Sequence, residues 1–151
     1  MDVRKVRLEM RMGRSFYDLP LRVTFYARVS SESDEQLNSL GNQITYYEEL
    51  IRKNPNWTYV EGYIDEGLSA ATTKKRENFN RMIEESAEDQ FDLVITKEIS
   101  RFARNTVDSL TTIRKLKEHG VEVYFEKENI YSLDSKGELL LTIMSYHWYC
   151  Q

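Results

Sequence analysis

Short runs of β-branched and aromatic residues alternate along this chain with stretches whose apolar residues recur at helical spacing. That alternation limits the fold more than any other feature. Residues 21–26 (Leu-Arg-Val-Thr-Phe-Tyr) read as a strand that runs on to about residue 29. Leu37, Leu40, Ile44, Tyr47 and Ile51 then share one helical face. That helix must stop before Pro55, because the residue preceding proline is sterically disfavoured in the α region. Residues 57–64 read as a second strand ending at Asp65-Glu66-Gly67, and the polar residues 69–75 as a loop. Phe79, Met82, Ile83 and Ser86-Ala87 mark a second helix, and residues 91–96 a third strand. A further helix opens at Asn105-Thr106-Val107-Asp108, with a capping asparagine and an acid in its first turn, and closes at Gly120. Residues 121–125 give a fourth strand and residues 129–133 a short fifth. Such alternation predicts a parallel sheet with helices on both faces. In open sheets of that kind, ligands bind beyond the carboxyl ends of the strands.

At 151 residues the chain has the length of a single domain with a full core. Residues 1–20 show weak periodicity and alternating charge and are expected to form an N-terminal arm. Residues 21–136 are the expected core domain. Within the last part, Ser135 and Glu138 make a capping box, followed by Leu139, Leu140, Leu141, Ile143, Met144, Tyr146, Trp148 and Tyr149. A helix apolar nearly all round is buried on more than one side. It is either a core helix or, the reading favoured here, the start of one that runs on and packs against another subunit. No run of eighteen apolar residues and no signal-peptide region is present, so a cytoplasmic location is expected. The single cysteine, Cys150, agrees with that. The net charge of −4 opposes a stand-alone DNA binder, which needs a basic surface.

Two strand ends carry the chemistry. The first strand ends in Tyr26-Ala27-Arg28-Val29-Ser30-Ser31, and the third leads into Lys97-Glu98-Ile99-Ser100-Arg101-Phe102-Ala103-Arg104. The topology delivers a hydroxyl nucleophile and Arg28, Arg101 and Arg104 to one rim, and Arg76 reaches over from the start of the second helix. Guanidinium groups answer the charge that gathers on phosphate oxygens during attack, and a serine among them is favoured as an alkoxide. Taken singly, each residue has a plainer reading: the arginines pair with Glu32, Asp34, Glu35, Asp65 or Glu66, and Ser30-Ser31 caps a helix. Their joint placement favours attack on a phosphate. Other chemistries fit worse. Gly62 and Gly67 lack the Lys-Ser/Thr of a phosphate loop, and no GxGxxG follows the first strand. His119 and His147 lack nearby partners for zinc. A receiver-like Mg²⁺ site would want an acceptor aspartate where Lys97-Glu98 stands.

These residues resemble the catalytic domain of the serine site-specific recombinases: resolvases, invertases, and large serine integrases and transposases. The resemblance rests on Tyr26-Ala27-Arg28-Val29-Ser30-Ser31, Ser39-Leu40-Gly41-Asn42-Gln43 and Ser100-Arg101-Phe102-Ala103-Arg104-Asn105, supported by Asp65-Glu66-Gly67-Leu68-Ser69 and Arg76-Glu77-Asn78-Phe79. It implies a three-layer α/β domain whose mostly parallel sheet has the order 2-1-3-4, with an antiparallel fifth strand as an option. It implies that Ser30 attacks double-stranded DNA at a recombination site, giving a 5′-phosphoserine link and a 3′-hydroxyl. Arg28, Arg76, Arg101 and Arg104 would hold the scissile phosphate, with Tyr26, Gln43, Ser100 and Asp65 in support. Neither metal nor nucleotide cofactor would be needed. The helix from residue 137 would be a truncated oligomerisation helix of a homodimer or tetramer, and a DNA-binding region would lie beyond Gln151. Ser100 stands where small resolvases carry Asp, as in many large members, so a transposon or integrase type is expected and the general acid or base stays open. The competing reading is an inactive resolvase-like interaction module.

Overall fold

The strand from Arg22 to Val29, β1, sits in the middle of a sheet and organises everything around it. The computed structural model describes residues 8–9, 16–29, 34–66, 76–98 and 106–132. Within them, helix α1 is Asp34–Lys53, α2 is Glu77–Ser86 and α3 is Thr106–Glu118. The remaining strands are β2 (Thr58–Tyr59), β3 (Tyr63–Glu66), β4 (Leu93–Thr96), β5 (Glu122–Phe125) and β6 (Ile130–Tyr131). The sheet runs β2-β1-β4-β5-β6, and β3 pairs with β1 beyond β2. All pairs are parallel except β5 with β6. This is the expected 2-1-3-4 order with its antiparallel fifth strand, once β2 and β3 are counted as one interrupted strand.

The interruption differs from the single strand expected over residues 57–64, and Gly62 explains it. A β-carbon at Gly62 would collide with the Phe25 ring, so the backbone there lies directly against that side chain. Across the gap, the Thr24 hydroxyl donates to the carbonyl of Glu61 (3.0 Å), replacing a ladder bond.

Alternate residues of β1 face opposite layers, as the period of a strand requires. Val23, Phe25 and Ala27 pack with Leu93 and Ile95 under Tyr47 and Ile51 of α1. Tyr26 faces the other side, where Phe79 and Met82 of α2, Ile113 and Leu116 of α3, and Val94, Val123 and Phe125 form the second core. Three layers result. Phe16 and Leu19, inside the segment expected to be an arm, are buried in the α1-side core. Phe16 stacks on Tyr131 (centroids 4.9 Å apart), and the carbonyls of Phe16 and Tyr17 accept from Trp57 Nε1 (3.1 Å) and Asn54 Nδ2 (2.9 Å). Two apolar residues in a short turn carry too little pattern to announce this.

Helix ends follow local chemistry. α1 stops at Lys53, before Pro55. Gly120 at φ 84° ends α3 in the left-handed conformation glycine tolerates, and the Val121 amide then reaches the Leu116 carbonyl at 2.8 Å. At the amino ends of the strands, Arg22 grips Asp92 through Nε (3.1 Å) and Nη2 (2.9 Å), and Asp89 through Nη2 (2.7 Å). This clamp ties β1 to the α2–β4 connection, on the rim opposite the site described next.

Candidate active site at the carboxyl ends of the strands

The parallel register puts Tyr26 beside Tyr63 and Arg28 beside Asp65 as β1 and β3 end together. Asp65 is buried, and both its oxygens are engaged. Oδ2 accepts the Tyr26 hydroxyl at 2.8 Å and the Phe79 amide at 3.1 Å, while Oδ1 accepts the Asn78 amide at 3.0 Å. Those amides belong to the first turn of α2, which has no capping hydrogen bond from its own N-cap residue, Arg76. A carboxylate from β3 therefore supplies the cap and answers the positive end of the helix. The Asn78 side chain adds a bond to the Ile64 carbonyl (2.6 Å), fixing the helix start against the strand a second time.

Anchoring α2 this way aims Arg76. Its guanidinium carbon lies 3.8 Å from the centroid of Phe79 and 5.6 Å from that of Tyr26, and Nη2 donates to the Tyr26 hydroxyl at 3.3 Å. At 7 % exposure this arginine is held by aromatic faces and a phenol, an arrangement that buries the guanidinium against favourable π faces. Burial pushes the Tyr26 phenol well above its usual range; the adjacent Arg76 cation works against that and Asp65 reinforces it. Near neutral pH Tyr26 is thus a neutral hydroxyl, able to donate to Asp65 and accept from Arg76, and unsuited to act as a base.

Next to this cluster, Arg28 and Gln43 line a narrow recess with Tyr26, Ala27, Tyr47, Thr96 and Lys97. The Thr96 hydroxyl bonds the Tyr26 carbonyl (3.1 Å), locking the ends of β1 and β4 together. Of the residues singled out from the sequence, Tyr26, Asp65 and Arg76 form one hydrogen-bonded set. Arg28 and Gln43 share the adjoining recess. Ser30, Ser100, Arg101 and Arg104 lie outside the described residues, as do the loop at residues 69–75 and the segment 137–151. Lys97 was quoted in the second strand-end motif without being chosen as a site residue. The rule that picked out Arg28, a cation at a strand's carboxyl end, applies equally to Lys97, the residue after β4. Among the described residues, no group of three or more His, Cys, Asp or Glu side chains is arranged to hold a metal ion.

A mostly parallel sheet between two helical layers, with a buried arginine hydrogen-bonded at the carboxyl ends of its strands, defines a three-layer α/β domain. Comparison with known proteins narrows this. The family description "Resolvase, N terminal domain" matches residues 23–147. A resolvase of Clostridium perfringens (strain 13 / Type A) is 32 % identical over 125 residues, which is 80 % of this chain and 58 % of that protein. Among solved structures, a resolvase family site-specific recombinase from Streptococcus pneumoniae superposes with a TM-score of 0.68 at 29 % identity, covering 83 % of this chain and 86 % of the other. The N-terminal catalytic domain of TP901-1 integrase gives 0.58 at 25 % identity, covering 83 % and 92 %. The chain belongs to the resolvase family, of which it carries the N-terminal domain. It spans 58 % of the length of the curated relative it matches.

Proposed function

We propose that this domain cuts and rejoins DNA at specific sites through a serine nucleophile. The observation that carries the reading is the buried Arg76–Tyr26–Asp65 set at the carboxyl end of β1, in a strand whose last residue, Val29, immediately precedes Ser30. Ser30 Oγ loses its proton and attacks the phosphorus. The bond to the 3′ oxygen breaks, and that oxygen takes a proton and leaves as a 3′-hydroxyl. The 5′ end stays linked as phosphoserine, so the bond energy is kept for rejoining and neither nucleotide nor metal is consumed.

Arg28, Arg76, Arg101 and Arg104 neutralise the charge gathering on the non-bridging oxygens. Gln43 and the Tyr26 hydroxyl orient those groups, and Asp65 holds Tyr26 and the start of α2 in place. Ser100 is assigned a supporting role beside these groups. The apolar segment 137–151 fits contacts between copies in a dimer or tetramer, and double-stranded recombination sites are the substrate.

The test uses the full-length protein and DNA spanning its recombination site, with EDTA present and a detergent quench. A protein–5′-DNA adduct that forms in EDTA and vanishes in Ser30→Ala is expected. An adduct that survives Ser30→Ala overturns the assignment of the nucleophile. Cleavage abolished by EDTA overturns the metal-free mechanism.

A further inference from the structure

Beside the narrow recess under Arg28 lies a more open cleft of about 430 Å³, between the middle of α1 and the ends of β4 and β5. It shares Gln43, Tyr47 and Lys97 with the recess, so the two spaces adjoin along those side chains. Its volume is in the range of sites for small organic groups, about 300–1,000 Å³.

One wall is Tyr46, whose side chain is fixed at both ends. The hydroxyl donates to Glu126 Oε2 at 2.8 Å, and the ring meets Tyr47 edge-on at 5.1 Å between centroids. Yet Tyr46 is 51 % exposed, so a large aromatic surface is held rigid and left open to solvent. The Asn42 amide, the Glu126 carboxylate and the exposed Lys97 and Lys127 ammonium groups line the rest. A rigid ring, the amides of Asn42 and Gln43, and two lysines, of which Lys127 is paired with Glu98 (3.2 Å), make up a stacking platform with donors and acceptors for a heteroaromatic edge.

We propose that this cleft receives the nucleobase of a nucleotide next to the scissile phosphate, unstacked from the duplex and laid on Tyr46. The inference rests on the strand-cleavage reading above and adds a base subsite to it. The base leaves its stack as the phosphate is seated, and Tyr46 recovers part of the unstacking cost. The Tyr46–Glu126 bond keeps the ring in position before DNA arrives, so little freedom is lost on binding.

The experiment places 5-iododeoxyuridine, in turn, on each side of the scissile phosphate in a recombination-site duplex. The duplex is bound to the full-length protein, irradiated, and the crosslinked peptide sequenced. Crosslinking at Tyr46 from one of these positions is expected, retained in Tyr46→Phe. Tyr46→Ala should lose about tenfold in apparent affinity for cleavage while still forming the Ser30 adduct. A normal Ser30 adduct with no crosslink at Tyr46, and with Tyr46→Ala cleaving as well as wild type, overturns the base subsite alone. So does a Tyr46→Ala change in oligomeric state without a change in crosslinking, which would assign the cleft to a second copy of the chain. Absence of any Ser30-dependent adduct in the wild type removes the cleavage reading and the subsite with it.

Discussion

Arg76 shows how a single residue gains a role from its surroundings. A lysine would carry the same charge, but it has no planar face to lie on Phe79 and no fork to reach the Tyr26 hydroxyl and a phosphate together. Arg76→Lys should therefore slow strand cleavage by about 10²-fold, the scale of losing one aimed donor at a transition state. Binding to the DNA site should change no more than about threefold, since the charge is kept. Single-turnover cleavage beside a gel-shift titration separates the two, and equal losses in both would make Arg76 a general electrostatic contact. Tyr26→Phe makes a complementary case. The ring still packs edge-on against Phe79 at 5.1 Å, but the buried Asp65 loses one of its three donors. A cost of about 1–2 kcal/mol in urea unfolding is expected, with the slope unchanged.

At the scale of elements, two strand ends and one helix start build the site, and they differ in how openly the sequence declares them. β1 and β4 are legible because β-branched and aromatic residues fill both faces of strands paired on either side. Helix α2 is legible from Phe79, Met82 and Ser86, all buried. Its cap is not, because the capping carboxylate comes from Asp65, eleven residues before Arg76 in the chain. Nothing local distinguishes such an aspartate from a solvated one. The break between β2 and β3 was equally hidden, since it depends on the Phe25 ring across the pair rather than on neighbours in sequence. Gly62→Ala tests this: overpacking against Phe25 should cost about 1–3 kcal/mol. Phe25→Leu in the same chain should recover part of it, because a smaller side chain makes room. Strictly additive effects in the double variant would place the strain elsewhere.

For the molecule as a whole, the tyrosines set a limit on alkaline stability. Tyr26 and Tyr63 are held above their usual range chiefly by burial, with Asp65 and Glu85 respectively adding to the effect, and burial pushes Tyr131 up to about 12. The sign follows from comparing folded and unfolded chains. Below the ordinary tyrosine value of about 10 both states keep these protons, and the groups cost nothing. Above it the unfolded chain ionises first, so it binds fewer protons than the folded one and stability falls as pH rises. The fall continues until the folded tyrosines themselves ionise. Melting temperature should thus be insensitive to these groups up to about pH 10 and drop steeply beyond it. Tyr63→Phe with Tyr131→Phe should flatten the drop while leaving the plateau shape intact, because each removes one group whose proton the fold retains. Thermal melts from pH 8 to 12, followed by circular dichroism, read this directly. An unchanged alkaline slope in the double variant would assign the loss to groups other than Tyr63 and Tyr131. The Arg22 clamp offers a control: its arginine is held still more firmly protonated by Asp92, so Arg22→Ala should lower stability at pH 7 and pH 11 alike.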